Sequence, residues 1–128
     1  MTPLWTPDAA RIANSNLTAF IAWLKEQGAG EFPDYKALHE WSITERGDFW
    51  SAVWDYCGVI GKKGSVAVVD GDRMPGAQFF PEATLNFAEN LLRGRDETTA
   101  LIAFTEPGSA DASGRTMTTR ELYDQVSR

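Results

Sequence analysis

Two glycine-rich stretches and a few isolated side chains are the places where this sequence could carry chemistry. Gly58-Val59-Ile60-Gly61-Lys62-Lys63-Gly64-Ser65 has the glycines and lysines of a loop that wraps phosphate. Such a loop needs Gly, Lys and Ser or Thr in unbroken succession, so that backbone N–H groups, the ammonium and the hydroxyl converge on one anion. Gly64 separates Lys63 from Ser65, and the stretch reads instead as a helix end and a turn. The second stretch, Gly108 to Thr116, has the composition of a phosphate cradle, but no lysine follows it and it reads as a hairpin loop. His39 is the single histidine and Cys57 the single cysteine, so no His/Cys cluster is available for a metal or a triad. His39 is expected to be structural, and Cys57 to be a buried, inert thiol on an aromatic helix stripe. Asp70-Gly71-Asp72 lacks the continuing acidic spacing of a calcium loop and reads as a turn. Asn16-Leu17-Thr18 spells a glycosylation sequon, expected mid-helix and silent. The expected site inventory is therefore catalytic none, cofactor-binding none, metal none.

The elements around these residues follow from apolar spacing. Thr6 as N-cap, with Pro7 and Asp8 in the first turn, opens a helix whose Ala13, Leu17, Phe20, Ile21 and Leu24 share one face. Gly28 and Gly30 end it. A second helix is predicted from about Asp34 to Trp41, with Tyr35, Leu38 and Trp41 on one side. Thr44 is expected to cap a third helix running to Cys57, with a stripe of Phe49, Trp50, Val53, Trp54 and Cys57. A short strand at Val66–Val69 precedes the Asp70 turn. A fourth helix is expected from Leu85 to Arg93, with Leu85, Ala88, Leu91 and Leu92 on one face. Beyond the linker-like Gly94–Thr98, residues Thr99 to Thr105 read as a buried strand and Arg115 to Thr118 as its return. Thr118 and Glu121 have capping-box spacing and open a helix carrying Leu122, Tyr123 and Val126. That helix lacks a stop signal before Arg128, which is the pattern of an interrupted domain. The fold class is α+β, with a helical portion over residues 1–94 and the start of a second module over 95–128.

Composition narrows the classes of function. The 128 residues include five Trp, seven Phe and three Tyr, apolar area enough to argue against disorder. A net charge of −6 disfavours nonspecific attraction to nucleic acid or anionic lipid. No apolar run spans a bilayer and no secretory leader is evident, and with a single cysteine the expected compartment is the cytoplasm.

The run Gln78-Phe79-Phe80-Pro81-Glu82-Ala83-Thr84-Leu85-Asn86-Phe87-Ala88-Glu89-Asn90-Leu91-Leu92 resembles a signature near the start of acetoacetyl-CoA synthetases, which are ATP-dependent, AMP-forming acid–CoA ligases. Three further pieces are similar in order and spacing. They are Thr6-Pro7 through Phe20-Ile21-Ala22-Trp23-Leu24, then Tyr35 to Ser42 with Phe49-Trp50 and Val53-Trp54, then Met117 to Val126. The resemblance implies a helical amino-terminal cap, followed by the first β-hairpin and helix of an α/β adenylate-forming large domain. It implies ATP, Mg and CoA for the parent enzyme. The family's lysine-bearing phosphate loop, ribose-binding acid and mobile-domain lysine have no counterpart here, so the chain alone is expected to be inactive. Its implied partner is the remainder of the ligase polypeptide. Two other readings stand beside this one: a stand-alone helical interaction module derived from the same cap, or the cap of an acetyl- or propionyl-CoA synthetase. The Trp stripes fit either packing within the chain or docking against the parent's body. Asn86 and Asn90 are expected to seek hydrogen-bond partners from that body.

Overall fold

A computed structural model describes residues 4–106 and 114–127. Their contacts form two units, one reaching to Thr84 and the other starting at Leu85.

Four helices make most of the first unit: α1 (Ala9–Ala13), α2 (Asn16–Glu26), α3 (Tyr35–Thr44) and α4 (Arg46–Tyr56). The single first helix expected from Thr6 is in fact two. Asp8, not Thr6, caps α1 by accepting the Arg11 N–H at 2.7 Å. Ser15 then turns extended and accepts the Thr18 N–H at 3.2 Å, while the Thr18 hydroxyl donates to the Ile12 carbonyl at 2.6 Å. Short hydroxyl side chains compete with the helical ladder in this way. The apolar spacing runs straight across the break, which is why periodicity alone conceals it. As a consequence Asn16 is the first residue of α2 rather than a mid-helix position.

Asp34 caps α3 by accepting the Ala37 N–H at 2.8 Å, and α3 continues past Trp41. Thr44 is the last residue of α3, not the cap of α4. Its hydroxyl donates back to the Glu40 carbonyl at 3.0 Å. Glu45 begins α4 without a side-chain cap.

Phe20, Leu24 and Leu38 form the buried centre, ringed by Ile21, Trp23, Phe32, Trp41, Phe49 and Val53. A chain of ring contacts runs from Phe32 to Trp41 (4.9 Å), Phe49 (5.7 Å), Trp50 (5.4 Å) and Phe79 (5.3 Å). Each such pair contributes roughly 0.5–1.5 kcal/mol beyond its buried area. The aromatic stripe of α4 is thus packed largely within its own unit.

After α4 come β1 (Gly61–Lys62), β2 (Val68–Val69), β3 (Gln78–Phe79) and β4 (Thr84–Leu85). Strands β2 and β3 pair antiparallel, with Val68 opposite Phe79 and Val69 opposite Gln78.

The second unit holds α5 (Phe87–Leu91), β5 (Thr99–Ala103), β6 (Arg115–Thr118) and α6 (Thr119–Val126). Helix α5 is shorter than the expected Leu85–Arg93, because Leu85 is strand and Asn86 is the N-cap. The β5–β6 hairpin is antiparallel, with Leu101 opposite Met117 and Ile102 opposite Thr116. Most of the Gly108–Thr116 stretch lies outside the described residues. Thr118 and Glu121 form the expected capping box on α6.

The linker-like Gly94–Thr98 is tied to the start of α6. The Thr119 hydroxyl donates to the Asp96 carbonyl (2.9 Å), Arg120 pairs with Glu97 (2.7 Å), and the Arg95 guanidinium lies 3.8 Å from the Tyr123 ring centroid. The expectation of a buried Thr99–Thr105 strand does not hold. Leu101, Ile102 and Phe104 are all exposed, because one partner strand and one short helix cannot cover both faces of an apolar strand.

Candidate functional site

The segment from Gly58 to Leu92 contains the phosphate-loop look-alike and the signature run. Lys63 does not face an open cradle. Its ammonium donates to both carboxylate oxygens of Asp55 (2.8 and 2.7 Å) and to the Ser51 hydroxyl (2.9 Å), tying the strand after α4 back onto that helix. Gly64 has φ of +81°, and a Cβ there would lie 2.7 Å from the Cβ of Glu82. Only glycine accommodates both demands without strain.

Glu82, from the signature run, occupies the space that Gly64 leaves. One of its carboxylate oxygens accepts the Ser65 N–H at 2.8 Å and the Ser65 hydroxyl at 2.9 Å. The backbone hydrogen bond from Ser65, followed by the hydroxyl one, holds the Glu82 carboxyl below its ordinary pKa. Next to it, Phe80 takes a φ of +47°, uncommon for a bulky residue. Two contacts hold it there: its N–H donates to the Ala67 carbonyl at 2.8 Å, and its ring lies 4.9 Å from that of Trp54. Phe79 packs edge-on against Trp50. The first half of the signature is therefore an internal clasp on α4.

The second half behaves differently. The Asn86 side chain caps α5 by accepting the Glu89 N–H at 3.2 Å, and the Asn90 amide donates to the Asn86 carbonyl at 2.9 Å. Local capping thus uses the Asn86 side-chain oxygen and one Asn90 donor. Leu85, Phe87 and Leu91 are exposed. Of the predicted helix face, only Ala88 and Leu92 are partly covered.

The remaining candidates are accounted for in the same way. Asp72 pairs with Arg46 at 2.7 Å and Asp70 with Arg73 at 3.3 Å, so each carboxylate of the Asp70–Asp72 turn meets a guanidinium. His39 is exposed, with its ring 5.9 Å from that of Tyr35. Cys57 is exposed rather than buried, because it is the C-cap of α4 and lies past the last turn that faces the core. Both line an apolar groove of about 380 Å³ between α2, α3 and α4. Among the described residues no group of three or more His, Cys, Asp or Glu side chains could hold a metal ion, and no helix is long and apolar enough to cross a membrane. Of the two lysines in the phosphate-loop look-alike, Lys63 is held by Asp55 and Ser51.

In Asp96, of the second unit, hydrogen bonds from Thr98, backbone first, and from the Thr119 hydroxyl likewise hold the carboxyl below its ordinary pKa. Sequence reasoning missed both carboxylate clasps. An acidic residue beside a hydroxyl-bearing partner was the available signal for Asp96, but Glu82 and Ser65 are too far apart in sequence to be paired by inspection.

Residues 35–91 match the family model described as the acetyl-coenzyme A synthetase N-terminus. The chain is 50% identical over 98% of its length to an acetoacetyl-coenzyme A synthetase of Rhizobium meliloti, of which it covers 19%. It is 35% identical, also over 98% of its length, to a malonamoyl-CoA synthetase of Penicillium aethiopicum, of which it covers 18%. Its fold is similar to an acetoacetyl-CoA synthetase structure from Streptomyces lividans, with a TM-score of 0.80 and 40% identity over 98% of this chain and 20% of that one. The chain thus spans about a fifth of the length of the relatives it matches.

Proposed function

We propose that this chain, which corresponds to the amino-terminal portion of acetoacetyl-CoA synthetases, serves as the structural cap and first edge of an AMP-forming acetoacetate–CoA ligase. In that reading the whole polypeptide joins acetoacetate to CoA with cleavage of ATP to AMP and pyrophosphate. Residues 1–94 form the cap, and residues 95–128 open the adenylating domain. The similarity to acetoacetyl-CoA synthetases over nearly the full chain is the observation that carries it.

The chain's own contribution is mechanical. Attack of a carboxylate on a phosphate needs two anions oriented and their charge neutralised. Three of the described cations instead pair with carboxylates: Lys63 with Asp55, Arg46 with Asp72 and Arg120 with Glu97. ATP, Mg and CoA are therefore assigned to the remainder of the polypeptide, and a cytoplasmic location goes with that chemistry. The acid is also selected outside this chain. The similarity to a malonamoyl-CoA synthetase supports this, because a ligase named for a different acid has a closely related portion.

Isothermal titration of the 128-residue chain with Mg-ATP tests the reading. We expect no heat of binding, and micromolar affinity would refute a purely structural role.

A further inference from the structure

The signature divides at Thr84 into residues that clasp α4 and residues that face outward, and the outward set has the form of a docking face. We infer that Phe87 and Leu91 of α5 seat against the remainder of the ligase polypeptide. The inference rests on the proposed function, under which such a remainder exists. The two residues are four apart and so share one helical face. They are 73% and 67% exposed, while their chain neighbours Ala88 and Leu92 are partly covered.

A helix of five residues is marginal in water without tertiary support. This one is held in shape by the Asn86 cap and the Asn90-to-Asn86 bond, yet its two large apolar side chains are left uncovered. Leu85 just before it is exposed, as are Leu101, Ile102 and Phe104 of the same unit. Single exposed apolar residues are ordinary, but a preformed turn presenting Phe and Leu one turn apart is the form taken by helix anchors in grooves. The relatives are about five times longer than this chain, which supplies the occupant.

The test uses thiol accessibility. Cys57 is replaced by Ser, and Phe87→Cys or Leu91→Cys is introduced in turn. Each variant is examined as the free chain and as a chimera in which the chain replaces the matching portion of the Rhizobium meliloti enzyme. In an active chimera, maleimide labelling at both positions should be slower than in the free chain by at least about tenfold. An active chimera labelled as fast as the free chain would overturn the docking face and leave the ligase reading standing. An inactive chimera with both thiols protected would do the reverse. An inactive chimera with both thiols reactive would overturn both. Protection that appears only when the free chain is concentrated would make α5 an interface between copies and overturn the inference.

Discussion

One carboxylate oxygen of Glu82 accepts two hydrogen bonds from Ser65, at 2.8 and 2.9 Å, across a turn that only Gly64 can make. This relationship fixes the start of the signature against the segment that follows α4. Replacing Glu82 with Ala should lower the urea midpoint at neutral pH. Because the folded-state carboxyl sits below its ordinary pKa, the clasp contributes fully above the unfolded-state value and is lost as pH falls through the folded one. The difference in midpoint between wild type and Glu82→Ala should therefore shrink on acidification. A gap that stays constant down to low pH would show that the carboxylate's charge is irrelevant.

Gly64 and Gly47 should respond to alanine in opposite directions. Gly64→Ala meets both a left-handed φ and a contact of 2.7 Å, and should destabilise by about 1–3 kcal/mol. Gly47 lies in the first turn of α4 with nothing within 4 Å of its would-be Cβ, so Gly47→Ala should stabilise by about 0.4–1 kcal/mol. Chemical denaturation of the two variants checks the pair.

Leu24 is fully buried at the meeting of α2 with the aromatic residues of α3 and α4. Leu24→Ala should cost about 2–5 kcal/mol. Loss of the near-ultraviolet tryptophan signal at a lower denaturant concentration would report it, whereas Leu91→Glu should leave that signal unchanged.

Lys63→Ala removes the tie between the strand after α4 and the helix itself. Its side chain is 28% exposed and that of Asp55 52%, so the loss should be modest, about 0.5–1 kcal/mol, and should diminish in high salt. If the Gly58–Ser65 segment bound phosphate after all, wild type would bind Mg-ATP and Lys63→Ala would not. We expect neither to bind.

The uncovered strand β5 should make the free chain bind a hydrophobic dye. Ile102→Lys together with Phe104→Lys should lower that signal without altering the tryptophan spectrum. A dye-silent wild-type chain that melts sharply as a monomer would contradict the exposed-strand geometry.

Much of the helical order is legible in residue spacing. Leu38 and Trp41 stand on one side of α3, Phe49 and Val53 on the core side of α4, and the Thr118–Glu121 capping box is present as written. These are local patterns with local physics. The errors cluster where short polar side chains decide between alternatives. Ser15 splits the first helix, Thr44 bonds backward instead of forward, and Asn86 caps where spacing has the helix already under way. Each residue type can end or start a helix, and the choice depends on which backbone N–H lies within reach.

The sequence alone determined where apolar faces lie and that the signature resembles the start of an acid–CoA ligase. Those follow from residue type and spacing along one chain. Only the tertiary structure decided that Lys63 belongs to Asp55, that Glu82 belongs to Ser65, that Cys57 is exposed, and that the signature is half inward and half outward. The reason is that hydrogen bonding and burial are properties of groups brought together from distant positions, and periodicity carries no information about which distant group arrives.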